Sequence, residues 1–316
     1  MKHLYRLALF AGSLLLAAPA ARPAEAAEIW VTNMGSGDVT VFDAQSLYTR
    51  AVIRAGKGAH NVVFSRDKKW ALVSNVGSND VTLIDAEKKH KVTDIPCGPR
   101  SHHALFLPDG KTAYVSNVGA DYVTVIDLES RKAVKNLKTG KGAMMTSALD
   151  GNSAYVLNAE AASISLVDLR AHQVVKTLPG GNGAMAAEFT PDKSVAWVSA
   201  GAEDALVAID AKGHTELARV KVPGEPHGLV LSKDGKRAYV VLRKKNELAL
   251  FDTARKKVIK TAALGKRPDM VVLSADGKTL YVTSRSENKL LVVDAATLKL
   301  LNAVPTGKEP HGVGIR

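Results

Sequence analysis

The sequence predicts an all-β fold: a seven-bladed β-propeller of four-stranded blades, formed as one domain by residues 28–316. This prediction rests on two observations. Two short sequence motifs, called phrases below, each recur seven times, and the two ends of the chain supply different strands of the same repeat. The chain has 316 residues, of which 46% are hydrophobic and 23% charged, a composition typical of globular proteins rather than disordered or multi-span membrane proteins. A core of this size needs no disulfide bonds, and the single Cys97 has no partner for one.

The first phrase is exemplified by Ala113–Asn117, Ala-Tyr-Val-Ser-Asn. The second residues of its seven copies are 30, 72, 114, 155, 197, 239 and 281, so the spacings are 42, 42, 41, 42, 42 and 42 residues. A second phrase, apolar-x-apolar-apolar-Asp, has identical spacings and ends at Asp43, Asp85, Asp127, Asp168, Asp210, Asp252 and Asp294. Repeats of 40–45 residues that cannot bury their apolar faces alone are typical of propeller blades, and the repeated Asp side chains are expected to cap turns.

Each repeat divides into four short segments with β character. In the second copy the predicted strands are Asn61–Ser65, Trp70–Asn75, Val81–Asp85 and Lys91–Ile95. Pro-Asp-Gly-Lys at 108–111 indicates a tight hairpin turn between the first two strands of its copy. The chain starts with a second strand at 29–33 and ends with a first strand at 309–315, so the last strand should complete the first blade and close the ring.

The N-terminus has the pattern of a secretory signal peptide. Lys2 and Arg6 precede an apolar stretch at 7–18, and Ala-Glu-Ala at 24–26 provides a cleavage pattern. A membrane anchor is the alternative, but twelve apolar residues are too few to span a bilayer. The sequence therefore predicts a signal peptide over 1–27 and a periplasmic or secreted protein without stable membrane insertion.

These phrases resemble a known family. The Tyr-Val-x-Asn phrase, the Pro-Asp-Gly-Lys turns and the Val-x-Val-Ile-Asp phrase are similar to the YVTN family of β-propeller repeat proteins, over the whole mature chain. The resemblance implies a seven-bladed propeller. It also implies two possible roles, association with PQQ-dependent alcohol oxidation and binding of single-stranded DNA. A more distant likeness is to the propeller of copper enzymes such as nitrous oxide reductase.

One position of the repeat predicts a site at the hub. The residues four before the end of each predicted inner strand are His60, His102, Met144, Met185, His227, Asp269 and His311, and His103 lies beside one of them. Imidazole and thioether ligands together favour copper, so these His and Met residues are interpreted as a metal site over the central channel. The alternative is a structural turn in which each imidazole bonds a backbone carbonyl, with the side chains held too far apart for one ion.

The same end of the predicted channel is rich in cations, and the whole chain has a formal net charge of +12. The candidate ligand-binding residues are Lys57, Arg100, Lys141, Arg243, Lys266, Arg267, Arg285 and Lys308. Such a mouth could attract carboxylates, phosphates or an acidic protein. Because the opposite face also carries many lysines, these charges could equally belong to solvated turns.

The first functional hypothesis is a periplasmic, non-catalytic binding protein. Its basic, His/Met-rich mouth would hold a metal (copper favoured), a small anion or an acidic redox protein. No Gly-x-Ser-x-Gly, His-Glu-x-x-His or Walker motif indicates an enzyme, but Asp269 beside a histidine could serve a hydrolase or lyase. A scaffold that weakly binds single-stranded DNA is the third hypothesis, although only Tyr48 and Tyr122 are expected to lie outside the strand cores as aromatic platforms.

Overall fold

The structure, a computed structural model, describes residues 27–316, and the predicted signal peptide lies outside them apart from residue 27. Seven antiparallel four-stranded sheets form seven blades, as the repeats predict. The inner strands of successive blades contact one another in a closed ring. Within 27–316 no helix has the length and apolar character needed to cross a lipid bilayer.

The strands follow the repeat in chain order. Blades 1 to 4 contain β1 (Glu28–Asn33), β2 (Asp38–Asp43), β3 (Thr49–Arg54), β4 (Ala59–Phe64), β5 (Trp70–Asn75), β6 (Asp80–Asp85), β7 (His90–Pro96), β8 (Ser101–Phe106), β9 (Thr112–Asn117), β10 (Tyr122–Asp127), β11 (Lys132–Lys138), β12 (Ala143–Ala148), β13 (Ser153–Asn158), β14 (Ser163–Asp168) and β15 (Gln173–Pro179). Blades 5 to 7 contain β16 (Ala184–Phe189), β17 (Val195–Ala200), β18 (Ala205–Asp210), β19 (Thr215–Lys221), β20 (Pro226–Leu231), β21 (Arg237–Leu242), β22 (Glu247–Asp252), β23 (Lys257–Ala263), β24 (Pro268–Leu273), β25 (Thr279–Ser284), β26 (Lys289–Asp294) and β27 (Leu300–Pro305). Finally, β28 (Pro310–Ile315) completes blade 1, and single 3₁₀ turns lie at Gly201–Glu203 and Arg285–Glu287.

Burial falls from the second strand of a blade to its outer strand. In blade 3 the second strand β9 is buried from Ala113 to Asn117, whereas only Leu137 is buried in the outer strand β11. The second strand needs apolar residues on both faces because each face packs against a neighbouring blade. This explains why the Tyr-Val-x-Asn phrase is a continuous apolar run rather than an alternating one.

The repeated Asp residues have the structural role expected of them. In blade 1 the carboxylate of Asp43 accepts hydrogen bonds from the backbone N–H groups of Gln45 (2.9 Å) and Ser46 (2.7 Å). Asp127 accepts one from Ser130 (2.6 Å) in the same turn of blade 3. Hydrogen bonds lower the pKa of both carboxyl groups: the largest cause is the backbone N–H of Ser46 for Asp43 and the side-chain hydroxyl of Ser130 for Asp127.

Ring closure is as predicted. Strand β28 pairs with β1 in antiparallel register, with Ile315 opposite Ile29 and Val313 opposite Val31. The buried carboxylate of Glu28 forms ion pairs with Lys89 of blade 2 (2.8 Å) and Arg316 after β28 (3.3 Å). The C-terminus is therefore held by a backbone ladder and by charge.

Deletion of residues 310–316 should lower the thermal unfolding midpoint by at least about 10 °C, because the inner strand of one blade and the closing ladder are lost. Circular dichroism measures this midpoint. Moving 310–316 ahead of Glu28 through an Asp-Gly-Lys turn gives blade 1 the connectivity of the other blades and should restore stability. A deletion variant that melts like the full chain would contradict closure by β28.

Candidate functional site

Each inner strand carries a β-bulge near its beginning. The register with the second strand shifts between Ala59 and Asn61 in β4, between Ser101 and His103 in β8, and at the same place in the other blades. A bulge re-aims the side chain that leaves the ladder. The second residues of the seven inner strands, at or within these shifts, are the residues aligned from the sequence: His60, His102, Met144, Met185, His227, Asp269 and His311.

Four of these residues bring their imidazole rings together. The ring centroid of His60 lies 3.6 Å from that of His311 and 4.0 Å from that of His102. The centroid of His227 lies 5.6 Å from that of His311. The channel therefore does not hold these side chains too far apart to share one ligand. We call the four rings the imidazole cluster.

Backbone carbonyls of the next blade orient every ring of the cluster. Nδ1 of His60 lies 3.2 Å from the carbonyl oxygen of His102, and Nδ1 of His102 lies 2.8 Å from that of Met144. Nδ1 of His227 lies 3.0 Å from the carbonyl oxygen of Asp269, and Nδ1 of His311 lies 3.1 Å from that of His60. A carbonyl only accepts, so Nδ1 of His102, His227 and His311 carries the proton and Nε2 of these three rings retains a lone pair. Nδ1 of His60 also lies 3.0 Å from the side-chain nitrogen of Asn61, which donates, so the carbonyl contact does not by itself fix the tautomer of His60. None of the four Nε2 atoms has a hydrogen-bond partner among residues 27–316. This geometry contains the carbonyl contacts of the structural alternative, yet leaves a metal-ligating Nε2 on His102, His227 and His311.

A second set of side chains, which sequence reasoning did not identify, donates hydrogen bonds to the same backbone carbonyls. The hydroxyl of Thr32 donates to the carbonyl of His60 (2.7 Å), and that of Ser74 donates to the carbonyl of His102 (2.6 Å). Equivalent hydroxyls act on other carbonyls of the column, those of Ser116, Ser199 and Thr283. The sequence does carry a signal for them, since all five occupy the x position of the Tyr-Val-x-Asn phrase. Its meaning depends on contact with the next blade.

The Pro-His-Gly motif requires its glycine for close packing. A Cβ at Gly312 would lie 2.5 Å from the carbonyl oxygen of His60, and one at Gly228 would lie 2.6 Å from that of Asp269. Nδ1 of His311 contacts the first of these carbonyl oxygens, and Nδ1 of His227 contacts the second. Glycine thus lets the next blade come close enough to accept from the imidazole.

Burial keeps the imidazole cluster neutral. Desolvation lowers the pKa of His102 to about 3 and holds the pKa of His60, His227 and His311 well below the usual value. The neighbouring His103 also has its pKa lowered, to about 4, by burial. His103 has a buried Nδ1 without a hydrogen-bond partner and makes no ring contact with the cluster within the described chain.

Asp269 brings a carboxylate and two guanidinium groups to the cluster. Its side chain is fully buried, with Arg243 Nε 2.6 Å from Oδ1 and Arg285 Nε 3.4 Å from Oδ2. Neither carboxylate oxygen has a well-aligned hydrogen bond within 27–316. Burial raises the pKa of Asp269, and the two guanidinium groups oppose that rise. One donor atom each from His227, Asp269 and His311 lie within 4.8 Å of one another, a grouping that could hold a metal ion.

The structure separates the other predicted ligand residues into two groups. Arg243 and Arg285 are mostly buried against Asp269. The remaining cations lie exposed in the loops before the inner strands: Lys57, Arg100, Lys141, Lys266, Arg267 and Lys308. Met144 and Met185 pack in the apolar cluster that blades 4 and 5 share.

One further position of the repeat shapes the mouth, namely the residue that follows each second strand. Around the ring these residues are Met34, Val76, Val118, Ala159, Gly201, Arg243 and Arg285. They are small and apolar in blades 2 to 5 but cationic in blades 6 and 7. The guanidinium of Arg285 also contacts the sulfur of Met34 across the closure. The mouth is therefore apolar on one side and cationic on the other.

Cys97 has no reactive environment. Its thiol is mostly buried, contacts the carbonyl oxygen of Ile95 at 3.3 Å and packs in an apolar cluster of blades 2 and 3. Burial raises its pKa to about 12, so the thiol stays protonated and acts as a small apolar side chain.

Two protein families match parts of the chain: the YNCE-like β-propeller over residues 16–154 and the Cytochrome D1 heme domain over residues 104–229. The second match includes His227 but not His60, His102 or His311. These matches support a β-propeller family at a coarser level than the YVTN resemblance or its PQQ-associated group. The curated proteins yield no significant match.

Solved structures share the fold. Hydrazine synthase of Kuenenia stuttgartiensis is 20% identical, with a TM-score of 0.76 over 85% of this chain and 92% of that one. A functionally unknown protein from Desulfotomaculum acetoxidans DSM 771 is 15% identical, with a TM-score of 0.79 over 91% and 98%. Dihydro-heme d1 dehydrogenase NirN in complex with DHE is 16% identical, with a TM-score of 0.70 over 95% and 77%. At these identities the likeness extends to the fold alone.

Proposed function

We propose that this protein is a periplasmic binding protein that holds a metal tetrapyrrole with carboxylate groups, a haem-type cofactor, at the channel mouth. One observation carries the proposal: neutral imidazoles with unpartnered Nε2 atoms lie directly beside the Arg243–Asp269–Arg285 group. Iron in proteins takes axial imidazole ligands, and guanidinium groups pair with carboxylates. The periplasmic location rests on the predicted signal peptide.

The donor set fits such a cofactor better than a free anion or a free cation. The unprotonated Nε2 atoms of His102, His227 and His311 cannot donate a hydrogen bond to an anion, so these three rings contribute no donor to an anion alone. A bare divalent ion would instead meet two guanidinium groups and only one carboxylate, Asp269. A metal tetrapyrrole offers a metal to the imidazoles and carboxylates to Arg243 and Arg285.

The surroundings of the cluster suit a planar macrocycle lying over the mouth. Val118 and Ala159 are buried apolar residues at the rim, and Gly201 leaves room beside Met185, whose Cγ would lie 3.5 Å from an added Cβ. The rings themselves are only 3.6–4.0 Å apart around His60, which leaves no space for a macrocycle between them. The match to the Cytochrome D1 heme domain supports this class of ligand.

Within this proposal each group of the chain has a separate task. The imidazole cluster would hold the metal of the cofactor through Nε2, and the backbone carbonyls, together with the hydroxyls of Thr32 and Ser74, orient the rings for it. Arg243 and Arg285 hold the carboxylates, and the apolar rim excludes water. A bound cofactor would supply redox or ligand-binding chemistry at its metal.

Titration with ferric protoporphyrin IX should give saturable binding with the absorption spectrum of an imidazole-ligated haem. The double variant His60→Ala/His311→Ala should lose that spectrum, while Arg243→Gln should weaken binding about tenfold and keep it. His172→Ala and His214→Ala are matched controls, because these rings contact the hydroxyls of Tyr114 and Tyr155 at outer turns. An unchanged spectrum in the double variant would refute the proposal.

A free transition-metal ion is a second candidate, favoured by the 4.8 Å grouping of His227, Asp269 and His311. Copper(II) would bind most tightly to such a nitrogen and oxygen site among the common divalent metals. Calorimetric titration with Cu(II) should then show one site per chain that is lost in His227→Ala/His311→Ala. Stoichiometric copper binding without any haem spectrum would favour this candidate over the tetrapyrrole.

A further inference from the structure

A cleft of about 710 Å³ lies between blades 2 and 3, on the face opposite the channel mouth. Three turns border it, and Trp70 at the start of β5 joins them: residues 65–69 between β4 and β5, residues 107–111 between β8 and β9, and residues 128–131 between β10 and β11. Its volume is within the range of small-molecule sites, roughly 300–1,000 Å³.

Apolar side chains form the floor and one wall of the cleft. Leu83 and Leu107 are buried, and Phe106 and Leu128 are partly buried. The indole of Trp70 stands at the edge with 37% of its surface exposed. A ligand in the cleft would therefore meet more carbon than polar surface.

Trp70 is an exception within the repeat. The corresponding first residues of the second strands in the other blades are Glu28, Thr112, Ser153, Val195, Arg237 and Thr279, none of them aromatic. Within the described chain the indole makes no ring contact, and its Nε1 donates no hydrogen bond. The expectation that aromatics outside the strand cores are limited to Tyr48 and Tyr122 missed this residue. A large exposed ring with an unused donor is a common feature of binding surfaces.

The charged groups at the rim of the cleft differ in the hydrogen bonds and ion pairs that they already form. Arg66, Lys111 and Arg131 form no ion pair within residues 27–316. Asp67 already accepts from the Ser65 hydroxyl (2.6 Å) and a backbone N–H, and Asp109 accepts three hydrogen bonds within its own turn. The formal charges of the rim cancel, since Glu129 is the third acid, but the unengaged donors outnumber the unengaged carboxylates.

We propose that this cleft is a second ligand site, which takes a planar aromatic molecule carrying one anionic group. The ring stacks on the Trp70 indole over the floor of Phe106 and Leu107, and the anionic group lies among Arg66, Lys111 and Arg131. The site is independent of the channel mouth because it lies at the opposite end of the blades.

Fluorescence offers a specific assay for this site. Of the three tryptophans, Trp30 and Trp197 are 0% and 2% exposed, so a ligand in the cleft should quench Trp70 selectively. The probes are naphthalene-2-sulfonate and adenosine 5′-monophosphate, each compared with an uncharged counterpart, 2-naphthalenemethanol and adenosine. We expect saturable quenching by at least one anionic probe, with affinity at least about threefold above its uncharged counterpart.

Variants test the assignment, with calorimetry as the readout because Trp70 is itself the fluorophore. Trp70→Thr, which copies the residue of blade 3, should weaken binding at least about tenfold, and Lys111→Gln about threefold. Tyr48→Thr removes an aromatic side chain that is 77% exposed elsewhere and should leave binding unchanged. His60→Ala/His311→Ala should also leave it unchanged, which separates this site from the channel mouth.

Two outcomes would overturn the proposal. One is the absence of saturable binding by either anionic probe up to millimolar concentration, with the native circular dichroism spectrum retained. The other is calorimetric binding of equal affinity in Trp70→Thr and the unaltered chain. Binding of the uncharged and anionic probes with equal affinity would contradict the role of the cations.

Discussion

Asp269→Asn is expected to lower the free energy of unfolding by about 3–5 kcal/mol at pH 7. The substitution removes the carboxylate that two guanidinium groups face, and the side chains of Arg243 and Arg285 are only 15% and 13% exposed. Both cations would remain desolvated, although Arg243 would keep an ion pair with Glu225 at 3.3 Å. Urea unfolding followed by circular dichroism measures the change.

Two further variants test the physical reason. The triple variant Asp269→Leu/Arg243→Met/Arg285→Met removes all three charges together and should recover most of the lost stability. Asp252→Asn changes a partly exposed turn carboxylate and should cost less than about 1 kcal/mol. If Asp269→Asn unfolds within about 1 kcal/mol of the unaltered chain, the carboxylate does not neutralise the two arginines.

Acid is expected to destabilise the protein steeply below pH 6.5. The folded-state pKa is lowered in five histidines of the inner strands, so the unfolded chain binds protons that the folded chain does not: His60, His102, His103, His227 and His311. The pKa of His214, in an outer turn, is lowered as well. Their stabilising effect is complete above the unfolded pKa of about 6.5 and is lost as the pH falls. Each proton contributes about 1.4 kcal/mol per pH unit to the slope.

Two carboxyl groups have the opposite effect on stability as the pH falls. Burial raises the pKa of Glu188 to about 7 and also raises that of Asp269, so these groups take up protons first in the folded state. With about three protons gained on unfolding, the slope near pH 5.5 should be roughly 4 kcal/mol per pH unit. The turn aspartates, with lowered pKa values, add to acid unfolding only at lower pH, near their unfolded value of about 4.

The slope is obtained from urea unfolding at pH intervals between 7 and 5. The variant His102→Asn/His311→Asn should reduce it by about 2.8 kcal/mol per pH unit, since two protons no longer contribute. His90→Asn, at an exposed position of blade 2, is the matched control. A double variant with the slope of the unaltered chain would show that these rings take up protons without unfolding.

Sequence reasoning reached the fold and the ring position of the candidate site because both are properties of a repeat. His60 and its counterparts occupy the same register position in every copy. Ring closure places the blade that holds His60 next to the blade that holds His311. Periodicity could not show that Nδ1 of each ring meets a carbonyl of the next blade. That contact also depends on the space left by Gly312 and on the hydroxyl of Thr32, which lie in other copies.

The surroundings of residues that depart from the repeat were not evident from the sequence. Arg243 and Arg285 were grouped with exposed cations such as Lys57, although they alone of that set turn inward to Asp269. Trp70 begins the strand predicted at 70–75, which the structure confirms, but its exposure at this first position was not expected. A departure from a repeat has no periodic partner, so its surroundings become known only when the neighbouring blade is in place.

By itself the sequence determined the number of blades, the order of their strands, the closure and the position in the repeat that lines the hub, because short-range phrases at fixed spacing specify local structure independently in each copy. The tertiary structure alone decided which nitrogen of each imidazole is available, which arginines meet Asp269 and where the second cleft opens. Those features arise from contacts between side chains of different blades, and such contacts depend on distances and burial that no single repeat contains.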